Sequence, residues 1–244
     1  MPRFYSSIPL QPGHALALPA GAARHVQVLR LQPQKTITLF DGLGGEYEAV
    51  IEAMGRTSVA VRVLSHDPTE REAARAVHLA LGVPANERMD WLVEKATELG
   101  VASIQPLMTE RGVLRLAGER ADKKQSHWQA IAIAACEQSG RNRLPIIHPV
   151  QSLPQWLGAQ SQNNHARSVL SLGLAALPAL QALSEAAFQL SEFKKPICVL
   201  SGAEGGLSPQ EEARAIDAGF IPTSLGNRVL RAETAAIAAL VAFC

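Results

Sequence analysis

The sequence predicts an α/β protein, a largely parallel sheet covered by helices, preceded by a small β-rich domain. Three observations predict it. From residue 77 onward, short apolar runs alternate with helix-periodic stretches, the rhythm of βαβ units. Before residue 66, apolar residues alternate at period two and no long helix pattern appears. Near the end, two glycine-bearing turns each follow an apolar run and precede a helix start, and α/β sheets place ligand clefts at such strand ends.

In chain order, residues 22–29 suggest one short helix. Residues 36–40 and 46–51 flank Asp41-Gly42-Leu43-Gly44-Gly45 as a hairpin, and 58–64 alternate as another strand. His66-Asp67-Pro68-Thr69-Glu70-Arg71-Glu72-Ala73 is polar and broken by proline, a linker. Residues 77–81 form a strand. Met89, Leu92, Val93, Ala96 and Leu99 share a helical face that Gly100 ends. A strand at 101–107 follows, then a helix marked by Trp128, Ile131, Ala135 and Cys136 and closed by Gly140. Further strands fall at 144–147, 168–172, 196–201 and 220–225, and the alanine-rich stretch 173–187 reads as helix. Ser208-Pro209-Gln210-Glu211 is a capping box with proline at the first helical position. In the last helix, Leu230, Thr234, Ile237 and Val241 keep helical spacing.

Composition removes several classes of function. Lys and Arg number 23 against 22 Asp and Glu, so the +1 net charge supplies no global field for nucleic acid; any such role rests on local patches. The 3 cysteines, Cys136, Cys198 and Cys244, form no CxxC pair, and the 7 histidines show neither H-x₃-H nor HExxH spacing. A metal site is not expected. The start of the chain lacks the apolar core of a signal peptide, and residues 235–244 are too few to span a bilayer. The expected location is the cytoplasm.

The first glycine turn, Gly202-Ala203-Glu204-Gly205-Gly206, has neither Rossmann spacing nor a following G-K-[ST]. It reads either as a plain strand-to-helix turn or as a backbone cradle, with Glu204 capping the helix or orienting a ligand amine or hydroxyl. In the second, Arg228, Arg231 and Glu233 crowd a helix start. Cations there oppose the helix dipole, so they meet a neighbouring carboxylate or an anionic ligand. Cys136-Glu137-Gln138-Ser139-Gly140-Arg141-Asn142-Arg143 sets two arginines at a helix end, sound electrostatics without function or a grip on a nucleic-acid backbone. Residues 1–35 hold Arg3, Arg24, Arg30 and Lys35 and no acidic residue, with His25 beside Arg24, a solvated face or an RNA platform.

The order of these motifs resembles the bacterial ribosomal RNA small-subunit methyltransferase E family, SPOUT-class enzymes that methylate N3 of a uridine in 16S rRNA. The resemblance runs over nearly the whole chain. It rests on Pro2-Arg3-Phe4-Tyr5, Val28-Leu29-Arg30, Leu39-Phe40-Asp41-Gly42, Glu94-Lys95-Ala96-Thr97-Glu98-Leu99-Gly100, Glu110-Arg111 and Glu137-Gln138-Ser139-Gly140-Arg141. The two glycine turns complete it, through Leu225-Gly226-Asn227-Arg228-Val229-Leu230-Arg231-Ala232-Glu233-Thr234. Ala203 stands where the family usually has proline, which frees one φ angle.

The resemblance implies a PUA-like RNA-binding domain at 1–70 and a SPOUT methyltransferase domain with a deep trefoil knot at 71–244. It implies a homodimer with each pocket close to the subunit interface. The implied cofactor is S-adenosylmethionine, held by Leu172, Leu200, Ser201, Gly202, Glu204, Gly205, Gly206, Leu225, Gly226, Val229, Leu230 and Thr234. The uridine N3 proton has to leave, so Glu204 or a water would act as base and Arg228 or Arg231 would stabilise the anion. Arg3, Arg24, His25, Arg30, Arg141 and Arg143 would hold the RNA, with the target base splayed from its stack. The implied partner is 16S rRNA, within an assembled small subunit. Two rival classes stand beside this: a non-catalytic RNA-binding assembly factor that binds no cofactor, and a small-molecule enzyme using the glycine turns for a nucleotide.

Overall fold

The computed structural model describes residues 1–85, 87–160, 164–173, 176–179 and 195–244. The chain forms two compact units: residues 1–72 together with 133–144, and residues 73–132 together with 145–244. The first is therefore discontinuous in sequence.

In the first unit, strands β1 (Arg3–Tyr5), β2 (Ala15–Ala17), β3 (Thr36–Phe40), β4 (Glu46–Met54) and β5 (Val59–Asp67) form one sheet in the order β1-β3-β4-β5-β2. Helix α1 (Ala20–Val28) packs its Ala22, Ala23 and Val26 into the same core as Phe4, Ile37, Leu39, Ile51 and Val61. Period-two alternation decides this: Val59, Val61 and Val63 of β5 are buried while Arg62 and Leu64 face outward. Residues 133–144 join the unit through polar contacts. Glu137 accepts the Tyr5 backbone N–H at 2.9 Å. Arg3 donates to Glu46 at 2.5 Å, to the Arg141 carbonyl at 2.9 Å and to Asn142 Oδ1 at 2.7 Å.

The second unit holds β6 (Val77–Gly82), α2 (Glu87–Glu98), β7 (Ser103–Met108), most of α3 (Gly118–Ser139), β8 (Ile146–Ile147), β9 (Gln151–Ser152), α4 (Leu153–Gly158) and β10 (Ala166–Leu170). It continues with β11 (Leu177–Pro178), β12 (Ile197–Ser201), α5 (Pro209–Asp217), β13 (Ile221–Ser224) and α6 (Ala232–Phe243). The sheet order is β11-β13-β10-β12-β6-β7-β8, with β9 also on β7, and every pairing is parallel. Strand β6 shows why both faces need helices. Val77, Leu79 and Leu81 enter a core with α2 and α6, while Ala80 enters a second core with Trp156 and Ala215 of α4 and α5. In α2 the buried apolar residues are Met89, Leu92, Val93 and Ala96, the i, i+3, i+4, i+7 stripe, with Thr97 buried beside them and Leu99, past the helix end, exposed; Leu92→Ala would cost about 2–5 kcal/mol.

Two expectations need correction. Leu230 precedes α6, and the helix buries Glu233, Ala236, Ala239, Leu240 and Phe243, leaving Val241 60% exposed. The apolar stripe is rotated from the one read at 230, 234, 237 and 241: it runs through Ala236, Ala239, Leu240 and Phe243, with Ile237 packed at its edge. The alanine-rich stretch 173–187 lies mostly outside the described residues, and Leu177–Pro178 within it pairs with β13 as a strand.

Near the amino ends of the strands, His78 stacks on His165 with ring centroids 4.6 Å apart and lies 2.8 Å from Ser103 Oγ. Burial, with help from His165 and His148, pushes its pKa down to about 4. Burial likewise pushes the Cys198 thiol up to about 12, which makes it an inert core residue.

Candidate functional site

The carboxyl ends of β10, β12 and β13 converge on a cavity of about 380 Å³. That is where an open parallel sheet leaves a crevice, and the volume suits a small organic ligand. Its wall carries residues 170–173, 201–207, Glu212, Thr223, 225–226, 228–230, Ala232, Ala235 and Arg111. Five of these residues, Gly173, Gly202, Gly205, Gly206 and Gly226, are glycines, which leaves backbone bare.

The glycines explain how. Gly206 has φ +68° and Gly226 φ +112°, and a Cβ at either would stand in open space. Side chains are strained in those conformations, so the backbone there stays bare toward a ligand. Gly202 serves differently. A Cβ on it would lie 2.3 Å from the Gly206 carbonyl carbon and 2.5 Å from the Leu207 nitrogen, so the turn can close on itself only at glycine. The Gly206 N–H donates to the Ala203 carbonyl at 2.9 Å, which completes the turn without the proline.

The capping box then starts α5. Glu211 N–H donates to Ser208 Oγ at 3.2 Å, and Ser208 N–H donates to Glu211 Oε2 at 2.9 Å. The other oxygen of Glu211 accepts the Glu110 N–H at 2.8 Å, tying the segment after β7 to the glycine turn. Arg111 in that segment donates to the Gly205 carbonyl at 3.2 Å. Glu204 binds the segment after β6 instead, accepting from the Ala85 N–H at 2.9 Å and from Arg88 at 3.1 Å. Burial acts to raise its pKa, but the Ala85 N–H and the Arg88 guanidinium outweigh that and hold the carboxyl below its ordinary value. A carboxylate so stabilised is a weak general base.

Comparison with known proteins places this geometry. Residues 71–243 match the RNA methyltransferase domain family, and residues 18–64 the RNA methyltransferase PUA domain. The ribosomal RNA small subunit methyltransferase E of Buchnera aphidicola (subsp. Schizaphis graminum) is 30% identical over 99% of this chain and 95% of its own length. The chain belongs to the ribosomal RNA small subunit methyltransferase E family. Its namesake in Bacillus subtilis is 29% identical over 89% of this chain and 84% of its own. The crystal structure of that enzyme from Neisseria gonorrhoeae, bound to S-adenosylmethionine, superposes with a TM-score of 0.89 at 35% identity, covering 99% of this chain and 96% of that one.

Among the sequence-derived ligand residues, Leu172, Ser201, Gly202, Glu204, Gly205, Gly206, Leu225, Gly226, Val229 and Leu230 line the cavity. Leu200 and Thr234 do not: Leu200 is fully buried in the core with α4 and α5, and Thr234 is exposed on α6. Arg228 lines the cavity, whereas Arg231 is the N-cap residue of α6 and lies outside it. Ser171, Glu212 and Arg111 are wall residues with no role assigned from the sequence. Arg111 sat inside the Glu110-Arg111 motif, but nothing local tied that motif to a turn nearly a hundred residues later.

The expected RNA contacts divide. Arg141 is buried, its Nε 3.0 Å from Glu72 Oε1 and its Nη2 2.5 Å from Oε2. Arg3 is held by Glu46 and lies 4.6 Å over the Phe40 ring. Both guanidiniums are spent inside the first unit, and phosphate would have to displace a half-buried carboxylate already paired with each, which corrects their assignment to RNA. His25 packs edge-on against Phe4, with Nδ1 3.4 Å from Glu137. Arg24 and Arg30 are exposed, and Arg143 is exposed with a 3.1 Å pair to Glu70.

Proposed function

We propose that the protein methylates N3 of a uridine in 16S ribosomal RNA, using S-adenosylmethionine bound in the cleft of the second unit. The observation that carries this reading is the bare-backbone cavity between the two glycine turns. An adenosyl group needs close main-chain approach, and Gly206 and Gly226, in positive-φ conformations that strain a side chain, leave their backbone bare for it. Gly202 to Gly206, Leu225, Gly226 and Leu230 would hold the cofactor. When bound it supplies an electrophilic methyl group, which needs no metal. The chain's own task is placement: it seats the uracil so that N3 faces that group. N3 attacks after its proton is lost, and the resulting anion spreads over O2 and O4. Arg228, in the cavity wall, is placed to stabilise it. With Glu204 bound to Ala85 and Arg88, we assign proton removal to water rather than to that carboxylate.

The RNA would be held through Arg24, Arg30 and Arg143, which are exposed on the first unit. The resemblance adds a trefoil knot, a homodimer, an assembled small subunit as substrate and a cytoplasmic setting. The test is nucleoside mass mapping of small-subunit rRNA from undermodified particles after incubation with protein and S-adenosylmethionine. A new 3-methyluridine supports the proposal. Methylation elsewhere, or no heat on titrating the cofactor, would refute it, the latter in favour of a non-catalytic assembly factor.

A further inference from the structure

The cavity wall contains two carboxylates in different electrostatic states. Glu204 is neutralised by Arg88. Glu212, in the first turn of α5, receives one side-chain hydrogen bond among the described residues, from Ser171 Oγ to its Oε1 at 2.5 Å. Ser171 Oγ in turn accepts the Gly173 N–H at 3.0 Å, and the Ser171 N–H donates to the Thr223 carbonyl at 2.9 Å. The hydroxyl is thus committed and aims Glu212 from a fixed strand end. Among the described residues no cation pairs with Glu212. The helix start does not require it, because Glu211 already completes the capping box.

A half-buried negative charge facing a ligand cavity selects for positive charge in the ligand. The uracil is the wrong partner, since it becomes an anion when N3 is deprotonated. The methyl donor is the right one: its amino-acid half carries a sulfonium and an α-ammonium. We infer that Glu212, aimed by Ser171, is the counter-ion for the positively charged amino-acid half of the donor. This rests on the reading of the cleft as an S-adenosylmethionine site. It assigns a charged anchor to a wall rich in glycine.

The test is calorimetric titration of the wild type and Glu212→Gln with three ligands: S-adenosylmethionine, S-adenosylhomocysteine, and 5′-methylthioadenosine, which keeps the adenosine but has neither cation. The amide still accepts from Ser171, so the fold is retained, and a thermal melt checks it. Glu212→Gln should weaken S-adenosylmethionine about tenfold or more and leave 5′-methylthioadenosine unchanged. A parallel loss of S-adenosylhomocysteine places the contact at the ammonium, and its sparing places it at the sulfonium; either supports the inference. Glu212→Asp, which keeps the charge, should retain the preference for the cationic ligand. Equal weakening of all three, or of none, overturns the role of Glu212. A wild-type protein that binds none of them would instead sink the cofactor reading itself.

Discussion

Replacing Arg141 by alanine separates a structural cation from an RNA contact. Its side chain is 5% exposed and makes a two-point contact with Glu72, whose side chain is 23% exposed. Removing one partner of a buried pair costs about 3–5 kcal/mol, because the remaining charge stays desolvated. Water can reach Glu72 in part, so the lower end applies, about 3 kcal/mol. For a chain of this length each kcal/mol moves the melting temperature by about 2–4 °C, so Arg141→Ala should melt about 6–12 °C lower. The assay is thermal unfolding by circular dichroism beside RNA binding at two salt concentrations. Arg143→Ala is the control. Its pair with Glu70 is exposed, so stability should change by no more than about 1 kcal/mol while RNA affinity falls and its salt dependence flattens. An Arg141→Ala protein with unchanged melting and selectively weakened RNA binding would refute the structural argument.

Other substitutions probe the cleft and the core. Gly202→Ala drives a Cβ into the Gly206 and Leu207 backbone, so cofactor binding measured by calorimetry should be lost; retained affinity would place the ligand elsewhere. Glu211→Ala strands the Ser208 and Glu110 N–H groups, and should cost about 2–3 kcal/mol in urea unfolding, with weaker cofactor binding because the turn loosens. His78, with its pKa lowered to about 4, stays neutral in the folded protein where the unfolded chain, near 6.5, takes up a proton. Its contribution to stability is therefore complete above pH 6.5 and lost as pH falls toward 4. His78→Asn should flatten that loss in denaturation curves, and an unchanged slope would assign it to other groups.

The sequence by itself determined the local pieces. The capping box at Ser208, the period-two alternation of β5 and the i, i+3, i+4, i+7 stripe of α2 depend on neighbours within a few residues, and such patterns are fixed by backbone geometry. The glycines that must bare their backbone announced the cleft for the same reason. Tertiary structure decided which charges are free. Arg24 and Arg141 are the same residue type in similarly basic stretches, yet one faces water and the other is locked to Glu72, 69 positions away. Likewise Arg111, Ser171 and Glu212 enter the cleft only because β7, β10 and α5 are brought together at one end of the sheet. Whether a charged side chain is an anchor, a counter-ion or a ligand depends on partners remote in the chain, and a linear pattern carries no record of them.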